Sequence, residues 1–203
     1  MAATEREPSE EQFSVLLVCT ANQCRSPMAE HLLRAELEVR ALDWSVSSAG
    51  VAARPGQPMH PSAARILDRR GIDTAGWTSR LVDGVTIDRA DLVLTATEAH
   101  REAVARLRPN AMARTFTLLQ FAHLIRASPP VAAGTGQGFG AALVAQAGAA
   151  RGRLQPLPKS DRDLADPMGQ SAHKFRRCAA VVEQAVQDIL LGAPVPAAAI
   201  SGD

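Results

Sequence analysis

Residues 13 to 27 narrow the possible folds more than any other stretch of the chain. Phe13 to Val18 is a short, apolar, β-branched run that reads as a buried strand, and Ser26-Pro27 opens a helix only a tight polar loop later. Serine suits the N-cap and proline the first helical position. Met28, Leu32, Leu33, Leu37 and Val39 then give the helix one broad apolar face. A strand that passes so directly into a helix belongs with sheets whose strands run parallel.

The alternation recurs downstream. Trp44 to Ser48 reads as a second strand ended by Ala49-Gly50, and Pro61 to Arg70 as a helix stopped by Gly71. Asp91 to Thr95 is a third strand, Glu98 to Leu107 a helix closed before Pro109, and Arg114 to Leu118 a fourth strand leading into a short helix through Phe121 and Ile125. Lys174 to Leu191 is a strongly amphipathic helix. Four strands alternating with helices predict a four-stranded parallel sheet covered on both faces, with ligands beyond the carboxyl ends of the strands. Residues 127–160 break the rhythm, because Pro129, Pro130, Gly134, Gly136, Gly138 and Gly140 argue for a long loop or insertion with at most a weak helix from Ala141 to Ala150. The 203 residues thus divide into a flexible segment (1–12), one domain (13–191) and a flexible tail (192–203).

Composition removes several function classes. A formal net charge of +1 provides no field for nucleic acid or an acidic membrane surface, so neither is an expected partner. Glu5, Arg6, Glu7, Glu10 and Glu11 leave no apolar leader, and no run reaches the roughly 18 apolar residues of a membrane span, so a cytoplasmic location is expected. Cys19, Cys24 and Cys178 are too few for a disulfide framework, and neither they nor His31, His60, His100, His123 and His173 have metal-ligand spacing. Neither a metal nor another cofactor is expected. His100 follows the third strand and either lies near the pocket or, by default, sits on the helix surface, and Cys178 reads as packing.

Chemistry concentrates in Cys19-Thr20-Ala21-Asn22-Gln23-Cys24-Arg25-Ser26. A loop of this size at a helix N-terminus turns several backbone N–H groups inward, and with the helix dipole they form an anion site suited to phosphate. Arg25 adds a planar fork that holds two phosphate oxygens and meets the charge that develops on them during transfer. The same field favours an anionic sulfur at Cys19, the nucleophilic form of a thiol. Ser26 can donate to that sulfur as well as cap the helix, and Asn22 tolerates the left-handed backbone of a curled loop. Asp166, before Pro167, is positioned by sequence either as a turn former or as the acid that protonates a leaving group and then activates water.

Val18 to Glu30, read as Val-Cys-Thr-Ala-Asn-Gln-Cys-Arg-Ser-Pro-Met-Ala-Glu, resembles the signature of the low-molecular-weight protein tyrosine phosphatase family. Ser48-Ala49-Gly50, Ala90-Asp91-Leu92-Val93-Leu94 and Asp166-Pro167-Met168-Gly169 fall where that family has similar segments. The resemblance covers roughly residues 13–126 and 164–191. It implies a flavodoxin-like fold, Cys19 as nucleophile on which a phosphocysteine forms, Arg25 as phosphate binder, Asp166 as general acid, and no metal. Thr20, Ala21, Asn22, Gln23 and Cys24 would complete the phosphate cradle, with Ser26 and Ser48 in support. The implied partner is a phosphorylated substrate, a phosphotyrosine protein or a small phosphomonoester, with inorganic phosphate as product; oligomeric state is not read.

Departures from the family pattern bear on substrate. Ala21 stands where many members have glycine, and Arg54 and Met168 stand near places where aromatic side chains often line the slot. Trp77 falls where a histidine is common, beside Arg80. Arg54 is either a contact for an acidic substrate group or a solvated loop residue, Met168 offers an apolar wall, and Trp77 and Phe139 either fold over the slot or pack inside. Cys24 is equally a redox partner for Cys19 or an apolar filler. Thiol-coupled reduction of arsenate, a phosphate mimic, is the alternative activity.

Overall fold

The computed structural model describes residues 12–131, 136–155 and 157–193. Strands β1 (Phe13–Cys19), β2 (Trp44–Gly50), β3 (Leu92–Thr95) and β4 (Thr115–Thr117) form one parallel sheet in the order β2-β1-β3-β4. The sheet is laid down by period-2 burial on both faces. Val15 and Leu17 of β1 point into one apolar cluster, Leu16 and Val18 into another. The first cluster is closed by α1 (Arg25–Val39), α5 (Leu118–Arg126) and α8 (Ala172–Ile189). The second is closed by α3 (Gly84–Asp88) and α4 (Glu98–Leu107), through Ile87 and Val104. Helix α2 (Pro61–Asp68) adds Ala63, Ile66 and Leu67 to the first. This is a flavodoxin-like three-layer arrangement with β1 at the point where the chain reverses direction across the sheet, so that the end of β1 opens into a crevice.

Two expectations are corrected. Ser26 is not the N-cap of α1: the helix begins at Arg25, Cys24 occupies the cap position, and no side chain caps it. The serine hydroxyl is engaged inside the loop instead. The glycine-rich stretch is regular structure, α6 (Gly136–Arg151), followed by the short α7 (Lys159–Arg162). Phe139, Leu143, Ala147 and Ala150 form one buried stripe along α6. A glycine inside a helix costs about 1 kcal/mol against alanine, whereas burying a phenylalanine or leucine side chain returns about 1.5–3 kcal/mol. Packing therefore overrides propensity. Gly140 is required by close approach, since a Cβ there would lie 2.4 Å from the Phe13 ring. Phe139 stands 6.1 Å from Trp44, at the start of β2, so it is core and does not cover a slot near Cys19. Gly134 and the terminal segments 1–11 and 194–203 lie outside the described residues.

Candidate active site

The loop Thr20–Cys24 is held in a curl by its own carbonyls. Cys19 O accepts from Val51 N (2.9 Å), Thr20 O from Ala52 N (2.9 Å) and Gln23 O from His60 N (2.9 Å). In a trans peptide the following N–H points the opposite way, so those of Thr20, Ala21 and Cys24 turn toward the inside of the curl. The curl also needs room beside β2. A Cβ on Gly50 would lie 2.5 Å from Thr20 O and 2.8 Å from Asn22 N, so only glycine lets the two backbones meet.

Asn22 is the keystone of the loop. Its φ is +52°, and its buried side chain donates to Ser26 Oγ (2.9 Å) and Ser48 Oγ (2.8 Å) while accepting from Arg80 N (2.8 Å). Ser48 donates in turn to Glu30 Oε2 (2.5 Å), which also accepts from Trp77 Nε1 (3.2 Å). Trp77 thus serves a buried carboxylate, whose other oxygen is 2.8 Å from Arg34. The result links α1, β2 and the segment around residue 77 to the floor of the loop.

Cys19 Sγ lies 2.9 Å from Ser26 Oγ, and both side chains are buried. Arg25 is only 5% exposed and spans the site. Its NH2 donates to Asp166 Oδ2 (2.5 Å) and Thr20 Oγ1 (3.1 Å), and its NH1 to Leu164 O (3.4 Å). The segment that brings Asp166 here is docked at the end of β3: Leu164 N donates to Ala96 O (2.8 Å), and Asp163 Oδ1 accepts from Glu98 N (2.8 Å) at the start of α4. Asp166 Oδ1 accepts from Met168 N (3.1 Å), which folds the turn after Pro167 back on the carboxylate. Cys19, Arg25 and Ser26 are therefore brought together with Asp166, which lies 141 positions from Arg25.

The remaining predicted residues distribute unevenly. Thr20 is exposed at the mouth, and Ala21 and Gln23 are half-buried. Cys24 sits in the apolar core beneath the loop, where burial and the neighbouring Cys19 push its thiol up to about 12. Cys178 of α8 is likewise buried and pushed up to about 12, chiefly by burial. Met168 is partly exposed beside Asp166, and Arg54 is exposed two residues beyond the contact of Ala52 with the loop. All five phenylalanines and Trp44 are buried in the core, leaving Trp77 as the one partly exposed aromatic residue of the chain.

Of the two readings of His100 the structure favours the one beside the pocket over the default surface one: the ring is buried, with Nε2 2.8 Å from Thr20 Oγ1 and Nδ1 2.8 Å from Thr97 Oγ1. Burial and the nearby Arg25 push it down to about 4. Its position three residues into α4, directly after a strand that ends beside Cys19, was the only sequence signal. Among the described residues no cluster of His, Cys, Asp and Glu has the makings of a metal site, and no helix is long and apolar enough to cross a membrane.

Comparison with known proteins agrees with this geometry. Residues 14–128 match the family described as low molecular weight phosphotyrosine protein phosphatase. A probable low molecular weight protein-tyrosine-phosphatase, EpsP of Ralstonia solanacearum, is 36% identical over 105 residues, 52% of this chain and 70% of that protein. A protein-arginine-phosphatase of Geobacillus stearothermophilus is 40% identical over 110 residues, 54% of this chain and 71% of its own. The solved YwlE arginine phosphatase from Geobacillus stearothermophilus superposes with a TM-score of 0.64 at 28% identity, covering 87% of this chain and 90% of that one. The low molecular weight protein tyrosine phosphatase from T. tengcongensis, at 24% identity, shares the fold with a TM-score of 0.67 over 88% of this chain and 98% of its own. This chain belongs to the low molecular weight phosphotyrosine protein phosphatase family and is a cysteine-based phosphatase, a hydrolase acting on phosphorylated substrates.

Proposed function

We propose that the enzyme hydrolyses phosphate esters in two steps on Cys19. The sulfur attacks phosphorus, the bond to the leaving group breaks, and Asp166 gives its proton to the departing atom. Water then attacks the phosphocysteine, Asp166 takes up its proton, and inorganic phosphate leaves as the S–P bond breaks. Arg25 and the inward N–H groups hold the equatorial oxygens throughout. Ser26, 2.9 Å from the sulfur, donates to it as it leaves. The observation that carries this reading is the convergence of a buried thiol, a buried guanidinium and a carboxylate, the last two 2.5 Å apart, at the mouth of one loop.

A phosphotyrosine protein is the first substrate to test. The absence of any fully exposed aromatic side chain, in a chain with no tyrosine, favours a second reading with the same chemistry: a phosphorylated group without a ring, such as phosphoarginine in a protein. The 40% identical protein-arginine-phosphatase supports it. Wild type and Cys19→Ser are compared on an aryl phosphate, phosphotyrosine and phosphoarginine peptides, a small phosphomonoester, and arsenate with thiol. Acid-quenched turnover should leave a phosphoryl group on the Cys19 peptide. Hydrolysis that survives Cys19→Ser, or thiol-dependent arsenate reduction as the dominant activity, overturns the proposal.

A further inference from the structure

We propose that His100 is a positioning residue for this reaction, gripping the Thr20 hydroxyl and through it fixing the edge of the Arg25 guanidinium that a phosphate oxygen meets. The inference rests on the reading of Arg25 as phosphate holder.

A guanidinium only donates, so Arg25 NH2 gives a hydrogen to Thr20 Oγ1 at 3.1 Å. The same hydroxyl is 2.8 Å from His100 Nε2, and Nδ1 is 2.8 Å from Thr97 Oγ1. Each hydroxyl can donate or accept, so both ring nitrogens are hydrogen-bonded in either neutral tautomer. Thr97 sits at the N-cap of α4, and the chain Thr97–His100–Thr20–Arg25 therefore runs from a rigid helix start to the phosphate-facing guanidinium. Burial beside Arg25 keeps this imidazole neutral.

The imidazole is surplus to the needs of the helix. The first turn of α4 already has the Thr97 hydroxyl accepting from His100 N and the Asp163 carboxylate accepting from Glu98 N. Among the described residues Arg25 NH2, by contrast, has only one other partner, Asp166, whose side chain is 46% exposed and which, in the proposed reaction, also trades protons with the substrate. Thr20 is exposed at the mouth, and its hydroxyl is held between Arg25 and the buried His100.

The test measures kcat and KM for an aryl phosphate, and the inhibition constant of inorganic phosphate, in wild type, His100→Asn, His100→Gln, Thr20→Val, the Asn/Val double variant and Arg25→Ala. Glutamine reaches the Nε2 end of the ring and asparagine only the Nδ1 end. Misplacing a phosphate-holding group costs on the order of 10–100-fold. His100→Asn and Thr20→Val should each lose that much in kcat/KM, with phosphate inhibition weakened in parallel. The double variant should be no worse than the poorer single, and glutamine should recover most of the loss. Additive losses, or equal losses with asparagine and glutamine, overturn the proposal. If Arg25→Ala abolishes activity while His100→Asn retains wild-type phosphate inhibition, only the role of His100 fails. If Arg25→Ala still binds phosphate normally, the reading of Arg25 fails first. Should His100→Asn not fold, Thr20→Val and His100→Gln decide the matter alone.

Discussion

Asp166 holds Arg25. The carboxylate of a half-exposed turn accepts from a nearly buried guanidinium at 2.5 Å, across 141 residues of chain. The acid and the phosphate holder of the proposed reaction are thus a single ion pair. In that reaction a phosphate oxygen would compete with Asp166 for the same N–H edge.

Replacing Asp166 by asparagine should therefore separate chemistry from binding. Turnover falls by about 10²–10⁴, the usual worth of a general acid, most steeply for esters with poor leaving groups. Inhibition by inorganic phosphate is expected to hold or strengthen, because one negative competitor at Arg25 is gone. Steady-state kinetics over a series of aryl phosphates checks both; losses independent of leaving-group basicity would remove Asp166 from the acid role.

Gly50→Ala should damage the cradle from outside it. The new methyl meets backbone atoms of Thr20 and Asn22 at 2.5 and 2.8 Å, and backbone has little freedom to give way. A destabilisation of about 1–3 kcal/mol is expected for such overpacking, together with a loss in kcat/KM. Urea unfolding and kinetics on the same preparation measure the two effects.

Gly140→Val tests the opposite end of the sheet. The clash with the Phe13 ring should lower stability by about 1–3 kcal/mol. Phe13 begins the strand that Cys19 ends, roughly 20 Å away at the usual rise per residue, so KM and phosphate inhibition should match wild type. A changed KM would tie α6 to the site.

Acid should destabilise the fold through His100. The unfolded chain protonates it near 6.5 and the folded one only near 4, so the unfolded state holds more protons between these values. Stability is fully expressed above the higher value and declines as pH falls toward the lower one, by about 3 kcal/mol in all. Arg25, Asp163 and Asp166 face the ring and set the balance with burial. His31, also pushed down, chiefly by burial, acts in the same direction. Urea midpoints from pH 7 to 4 should drop less in His100→Gln than in wild type; parallel curves would refute the assignment.

Local pattern sufficed for much of this protein. The apolar run before Cys19, the length of the loop and the register of Arg25 specify a tight loop between strand and helix, the proposed phosphate cradle, because the start of a helix presents free N–H groups whatever surrounds it. The four strands were legible for the same reason: burial on both faces writes itself as unbroken apolar runs. What periodicity could not reveal is where distant polar groups meet. Asp166 reads as one turn former among several until Leu164 and Asp163 dock it on β3 and α4. His100 looks like a surface residue until the end of β3 brings it under Thr20. The glycines of α6 deny a helix by propensity, and the close approach to Phe13, visible only in the fold, explains Gly140. Short-range sterics and hydrophobic period set the elements; the convergence of side chains far apart in the chain was decided by tertiary packing and hydrogen bonding, which no local pattern records.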